Sequence, residues 1–598
     1  MAARPPNGYD AVVKRFLGIT GFSLLAGAVM AACESNELSC SETQTCSSDD
    51  GEGGSGTAGR GGNSGTDAGG EGGKSSEGGS GGSGASSGSG GDSGSPNGGR
   101  GGSGKGGAGG EVDDTPPTIE SFDPADAEVD VDRDVEITVE FSEAIDDATV
   151  TTESVTLAGP RGDVAGRVSV DDTIVTFTPD RDLDLLGTYT LSLADSIADL
   201  AGNTLVASAS AEFQVRDGFW SAAVHPFGQI LPRNVRRFQH NGLGDVVIAM
   251  EQPEDHTAIY GAVYHAEEQR WTDVITLHSM GGVQYYASGL DIDPNRRAVV
   301  AWGGVGAAGY GWARFSPGEE WIDSGPLYAY AEVVASSEGV AKAVCWEGTD
   351  PDLVIHTQDL VTGTIDPAAP YPTLDSAEFA LPVASLERVA LISAQQVSGS
   401  EQELSVRWQS GVGWGAPESL ARGSRFDPLT LDSDEQGNII VAWRDADEIW
   451  SRFYDRAGNR WTVPEFAASA PTNAVLGKPD LTAGNAILYF KTPDPDARGW
   501  VAVYEAGVGW IEDSVVELGG ATIGAFVGIS MDVAGNALVV WSTELRHRRY
   551  IHGLGWQPAS SLVGLGVDPD YLWAAAAPDG TVLAVGDEFG LPLTLRFQ

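Results

Sequence analysis

Asp434-Glu435-Gln436-Gly437-Asn438 runs into Ile439-Ile440-Val441-Ala442-Trp443, and Asp532-Val533-Ala534-Gly535-Asn536 runs into Ala537-Leu538-Val539-Val540-Trp541. Asp, Gly and Asn supply side-chain hydrogen bonds and positive φ, the chemistry of a tight hairpin. The apolar run that follows reads as a strand buried on both faces. A second Trp comes after a further turn, Trp461 in the first copy and Trp556 in the second. Weaker copies of the apolar run end at Met250, Trp302, Trp346, Ser393, Phe490 and Gly586, which makes eight copies spaced 44 to 52 residues apart. A strand-like unit repeated at this period predicts a propeller or a repeat array.

Each unit also holds a third strand, such as Trp450–Tyr454 or Gly499–Tyr504, and a turn that opens a fourth. Four strands in about 47 residues make a propeller blade. The second Trp register runs Trp271, Trp321, a degenerate position near Ile365, Trp414, Trp461, Trp510 and Trp556, and the next would fall beyond Gln598. Trp220 precedes the first complete unit and has no unit of its own. Residues 219–224 are therefore expected to supply the outer strand of the last blade, which also covers an open edge. The expectation is all-β: eight blades over residues 217–598, with seven the alternative if the copies near Ser393 or Ile365 are misread. Repeated Trp at fixed strand positions fills space between blades. Tyr285, Tyr286, Tyr310, Tyr328 and Tyr330 fall outside that register and are the aromatic candidates for a ligand surface.

Upstream of the repeats, residues 113–216 show short alternating runs: Val135–Phe141, Ser154–Leu157, Val168–Val170, Ile174–Phe177, Thr188–Leu193 and Ala209–Val215. Period two with turns every 10–15 residues predicts an antiparallel sandwich. Pro124 with Asp126 and Ala127, Phe141-Ser142-Glu143, Phe177-Thr178-Pro179, Tyr189-Thr190-Leu191 and Asp199-Leu200-Ala201-Gly202-Asn203 together resemble the bacterial Ig-like domain of surface-layer and adhesive proteins. That resemblance implies a spacer or adhesion unit without catalytic residues. Asp130, Asp132 and Asp134 alternate; in a loop they could offer oxygen ligands to Ca²⁺, although neither the turn Gly nor the downstream Glu of an EF-hand is present. The other reading is a solvated acidic edge that blocks edge-to-edge pairing.

The N-terminal 112 residues read as an address and a tether. Arg4, Lys14 and Arg15 precede the apolar stretch Phe16–Met30, about fifteen residues and shorter than the roughly twenty a spanning helix needs. This is a signal peptide over residues 1–32. Met30-Ala31-Ala32-Cys33 resembles the lipobox of bacterial lipoproteins, with Met where Leu is usual. The resemblance implies cleavage before Cys33, lipidation of that residue, and an outer-membrane lipoprotein facing the periplasm or the cell surface. At about 0.8 kcal/mol per buried CH₂, several acyl chains anchor stably. Residues 33–112 form a Gly/Ser-rich linker: between positions 51 and 110 thirty residues are Gly and twelve are Ser. Such a stretch has nothing to bury against the entropy of ordering, so it is expected to be disordered, with a span of about 40–45 Å. Cys40 and Cys46 flank a polar loop and are either a candidate disulfide in an oxidising compartment or two idle thiols. Cys345, within an apolar run, reads as a buried small hydrophobe.

Function is constrained more by exclusion than by motif. With 35 basic and 85 acidic residues the chain carries a net charge of −50. That surface repels nucleic acid and anionic headgroups. The eight His show no metal-site spacing, and neither a P-loop nor a nucleophile elbow is present. The chain is similar to sialidases in repeat architecture, and that resemblance implies carboxylate-binding arginines drawn from separate blades, whereas Arg233, Arg236 and Arg237 read as one loop. The carboxylate pair of any other glycan-cleaving propeller is not distinguishable among 85 acidic residues. The sequence thus points to a monomeric, non-catalytic binding, adhesion or scaffold module without a cofactor, attached to a membrane by lipid, its protein or glycan partner unspecified. The alternative is the glycan-cleaving enzyme.

Overall fold

The computed structural model describes residues 113–598 apart from residues 229–233, 254, 306–308, 319, 328–329, 336–340, 348–353, 361–376, 387, 411–412, 427, 494–497, 520–526, 542–544, 563–570 and 589–590. The signal segment, the tether, Cys33, Cys40, Cys46, Arg233, Tyr328 and Ile365 lie outside the described residues.

Residues 119–215 form a two-sheet sandwich. One sheet orders Ile119–Asp123, Ile137–Phe141, Ile174–Pro179 and Gly166–Asp171; the other orders Glu128–Val131, Ala209–Val215, Thr188–Leu193, Val155–Gly159 and Gly162–Asp163. Alternation decides which side chains go in. Along Thr188–Leu193, Tyr189, Leu191 and Leu193 are buried while the residues between them are not. They meet Ile137, Val139, Phe141, Phe177 and Phe213 in one core. Each such side chain contributes roughly 1.5–3 kcal/mol on burial. The short strands Ile119–Asp123, Glu128–Val131 and Gly162–Asp163 escaped the sequence reading, since their side chains alternate weakly or are exposed.

Among the described residues, eight further sheets follow in chain order. Their inner strands are Asn234–His240, Tyr285–Ile292, Tyr330–Ala335, Ala377–Ser385, Leu429–Ser433, the interrupted pair Val475–Leu476 and Asp480–Thr482, Val527–Met531, and Tyr571–Ala576. Each inner strand touches those of the two neighbouring blades, and the first touches the last, so eight blades close a ring. The eight apolar runs are the eight second strands. Ile439–Asp445 and Ala537–Trp541 are typical: all five residues from Ile439 to Trp443 and all five of the latter are buried, because a blade lies on each side.

The inner hairpin explains the Asp-x-x-Gly-Asn signature. Asp434 Oδ1 accepts the N–H groups of Gln436 and Asn438 at 3.1 and 2.8 Å, and Oδ2 accepts the Asn438 side-chain amide at 2.8 Å. Gly437 sits at φ +82°, which a side chain would strain. Asp532 repeats the pattern with Ala534 and Asn536. Asn438 and Asn536 then accept the N–H of Arg456 and His552, tying the hairpin to the end of the third strand. The first blade reverses the pair: Asn241 takes the Asp position and Asp245 the Asn position.

The second Trp register packs between blades, as expected. Tyr264 pairs with Trp271, Phe315 with Trp321, Tyr454 with Trp461, Tyr504 with Trp510 and Tyr550 with Trp556. Trp510 Nε1 donates to Ser451 of the preceding blade at 2.7 Å, and Trp556 Nε1 donates to the Ser514 carbonyl at 2.7 Å. Cys345 is buried in the core between the second and third blades.

The last blade has three strands of its own, ending in Leu591–Phe597. Its fourth is the segment before the first blade. Ser221 N–H donates to the Arg596 carbonyl at 2.7 Å, Val224 and Thr594 exchange bonds at 2.9 and 2.8 Å, and Phe219 and Gln598 exchange bonds at 3.0 Å. Trp220 pairs with Phe597. The pairing expected for residues 219–224 is therefore present in the expected register.

The sandwich is docked on this blade through its inner hairpin. Arg133, 5 % exposed, donates through Nη2 to Asp579 Oδ2 at 2.7 Å and through Nε to the Leu183 carbonyl at 2.9 Å. Leu185 N–H donates to the Asp579 carbonyl, and the Leu185 side chain joins Leu538, Leu572 and Phe597 in the last blade's core.

Candidate functional site

The eight inner strands surround a channel of about 530 Å³. That is the size of an ordinary small-molecule pocket. One end lies at the inner hairpins, where the sandwich docks on Asp579. The other end lies where the second strands finish, at residues such as Glu251 and Asp587.

Four inner strands depart from regular pairing, the fourth blade's between Ala377 and Phe379 and the others in the first, second and sixth blades, where the departures aim side chains. In the first blade Val235 pairs with Met250 and Arg237 with Ala249, so Arg236 is the extra residue of a bulge. In the second, Ala287 pairs with Trp302 and Gly289 with Ala301, which leaves Ser288 extra. In the sixth, Gly477-Lys478-Pro479 interrupts the strand, since Pro479 has no N–H to give the ladder. Bulges of this kind re-aim side chains beside functional sites.

The interruption sends Lys478 across the ring. Its ammonium donates to Gln239 Oε1 of the first blade at 2.8 Å and pairs with Asp432 of the fifth at 3.0 Å. Beside it, His240 Nε2 lies 3.4 Å from Asp480 Oδ1. Burial pushes the Asp480 carboxyl up, against the pull of His240. These carboxylates have a second task. Asp432 accepts the N–H of Leu481 in the next blade at 3.0 Å, and Asp480 accepts that of Met531 at 2.6 Å. Ser530, one blade further on, accepts from Ala576. The ladder staples successive inner strands.

At the far end Arg236 donates to Tyr571 Oη at 3.0 Å, and its Nε lies 3.5 Å from Glu251. Glu251 is 3 % exposed; it accepts the N–H of Ala287 in the second blade at 3.0 Å and lies 3.0 Å from His256 Nδ1. Asp587 does the same one blade earlier, accepting from Val235 at 2.9 Å. Tyr286, 38 % exposed, rests against His256 with ring centroids 4.9 Å apart. Burial, then the nearby Glu251 charge, raises its phenol. Tyr571, Trp573 and Phe238 stack in series, with centroids 5.3 and 5.9 Å apart.

The sequence candidates thus scatter. Tyr286 rests on His256 beside Glu251, whereas Tyr285 is 1 % exposed and packs edge-on against His278. Tyr310 is half-buried beside the second-blade core, and Tyr330 lies on the third inner strand. Arg236 and Arg237 sit on the strand Asn234–His240 rather than in a loop. In the sandwich, Asp130 lies within the short strand Glu128–Val131 at φ +62° and Asp132 pairs with Arg216 at 2.7 Å. Elsewhere in the sandwich, Asp199 accepts from Ala201 and twice from Asn203. Sequence reasoning missed Glu251, Asp587 and Lys478; the signal available was Gly477-Lys478-Pro479, a break in an otherwise strand-like run.

Residues 113–215 match the bacterial Ig-like domain family. No curated protein matches the sequence. Among solved structures the chain is similar to the Dos1 propeller, at 11 % identity over 64 % of this chain and 95 % of that one, with a TM-score of 0.39. It is also similar to the β-propeller domain of the Trilobed protease from Pyrococcus furiosus, at 7 % identity over 55 % and 97 %, TM-score 0.34. A third likeness is to an auxiliary nutrient binding protein from Bacteroides ovatus, at 11 % identity over 81 % and 97 %, TM-score 0.31. At these identities no activity or ligand is carried over. Residues 113–215 thus form an Ig-like domain, and a β-propeller follows it.

Proposed function

We propose that this protein is a lipoprotein, anchored through Cys33 in the outer membrane, whose propeller is a non-catalytic platform for a ligand or partner. The Gly/Ser tether and the docked Ig-like domain would hold that platform clear of the bilayer. The observation that carries the non-catalytic reading is the commitment of Glu251. It is buried, it already accepts a backbone N–H from the next blade, and it lies against Arg236 and His256. A glycosidase needs a carboxyl pair facing the substrate, one to give a proton and one to attack or activate water.

The glycan-cleaving reading keeps one observation in its favour, the convergence of Arg236, Glu251, Tyr286 and Tyr571 in one cluster. A glycan and peptide array run beside a broad glycosidase screen separates the two. The platform reading expects array hits without turnover. Turnover abolished by Glu251→Gln would reverse it. The anchor has its own test: the wild type partitions into detergent and Cys33→Ala does not, while a Cys33→Ala variant still held in the membrane would contradict the lipid anchor.

A further inference from the structure

The channel is uneven around its circumference. Among the described residues, the third and fourth blades line it with apolar groups: Val333, Leu381, Pro382, Val383, Ala384 and Leu386. The charged lining comes from the other blades; four of its six acids are held by bonds within the fold, and Asp291 and Glu435 line it as well. Asp432 and Asp480 accept neighbouring backbone N–H groups, and Asp293 and Asp434 hold their own hairpins.

Arg237 is different. It is half-buried on the channel wall, and its Nε–H donates to the Ala287 carbonyl at 3.2 Å. Among the described residues it pairs with no carboxylate, in a chain that carries 85 acidic residues. Its neighbours in the lining, Gly289 and Leu290, are a residue without a side chain and an apolar one. A guanidinium fork is suited to bidentate capture of a carboxylate or similar oxyanion. A guanidinium partly withdrawn from water, with no carboxylate paired to it, is stabilised by a ligand that supplies the negative charge.

From these features we infer that the channel binds one small amphipathic anion, an apolar body carrying a single carboxylate-like head. The head sits on the Arg237 guanidinium beside Gly289. The body lies against Leu290, Leu381 and Leu431, and the Lys478–Gln239 bridge limits its depth toward the hairpins. The inference rests on the binding-platform reading and narrows it to a ligand class.

Titration calorimetry of the full chain with octanoate, octanol and octylammonium tests it. Octanoate binds with one-to-one stoichiometry, and the other two bind at least about tenfold more weakly, because only octanoate makes charge-assisted bonds to the fork. Arg237→Gln lowers octanoate affinity by a similar factor and leaves the melting temperature unchanged. Arg237→Lys, which keeps charge but loses the fork, falls between them. Equal octanoate affinity in wild type and Arg237→Gln, tighter binding of octylammonium, or no heat with octanoate would each overturn the inference. If the channel proves silent while the glycan or peptide array still yields a partner, the platform reading survives and this ligand class does not.

Discussion

Trp220 pairs with Phe597 across 377 positions of chain in the register by which Trp556 pairs with Tyr550 within one blade. Their rings meet edge to face, with centroids 5.4 Å apart. The last blade is thus a full blade assembled from two distant segments. A ring closed in this way cannot open without losing the seam. Trp220→Ala is expected to cost about 1–3 kcal/mol, less than a fully buried aromatic because Trp220 is only half-buried. Phe219→Ala, which removes a 58 % exposed ring, is expected to be close to neutral. Thermal unfolding of the two variants checks the contrast.

The same seam contains His547, whose ring lies 5.7 Å from Trp220 and 6.2 Å from Phe597. Burial, and then the Arg549 charge, pushes its imidazole down to about 4 from the ordinary 6.5. The folded state therefore prefers the neutral ring. That preference stabilises the fold fully above pH 6.5 and is lost as pH falls from 6.5 toward 4. His547→Gln should flatten the stability–pH curve across this window. An unchanged slope between pH 6.5 and 4 would place the acid sensitivity elsewhere.

The reversed hairpin pair supplies a double-mutant cycle. Asp434 and Asn438 play the roles that Asn241 and Asp245 exchange in the first blade. Asp434→Asn alone turns an amide donor toward the Asn438 amide and the Gly484 N–H, so it should destabilise by about 1–3 kcal/mol. Adding Asn438→Asp restores a donor–acceptor pair and should recover part of that loss. Chemical denaturation of the two single variants and the double variant gives the coupling. Strict additivity would mean that the hairpin bonds do not act as a unit.

Arg133 and Asp579 join the Ig-like domain to the propeller, with Arg133 almost fully buried. Removing one partner of such a pair leaves an uncompensated buried charge, a loss of about 3 kcal/mol or more. Asp579→Ala is expected to split one calorimetric transition into two, as the two domains unfold separately. A single transition in the variant at the wild-type temperature would contradict the docking.

The ring was legible in the sequence because its devices are local. Asp434 to Trp443 spells a hairpin whose acceptors and donors lie within four residues, followed by a strand buried on both faces. Counting Trp positions even exposed the orphan Trp220. The channel was not legible, because its groups meet across the ring: Val235 with Asp587, and Gln239 with Lys478. The bulge that extrudes Arg236 leaves no mark in the hydrophobic pattern. The docking of the Ig-like domain was hidden for a related reason. Arg133 and Leu185 lie outside the strands, where periodicity says nothing.

Native-state hydrogen exchange at the closing strand tests the closed ring most directly. The amides of Phe219, Ser221 and Val224 donate to Gln598, Arg596 and Thr594, so they should exchange as slowly as the second strands and only on global unfolding. Exchange at the rate of an unstructured peptide at those three amides, with the second strands still protected, would contradict the closed eight-bladed ring.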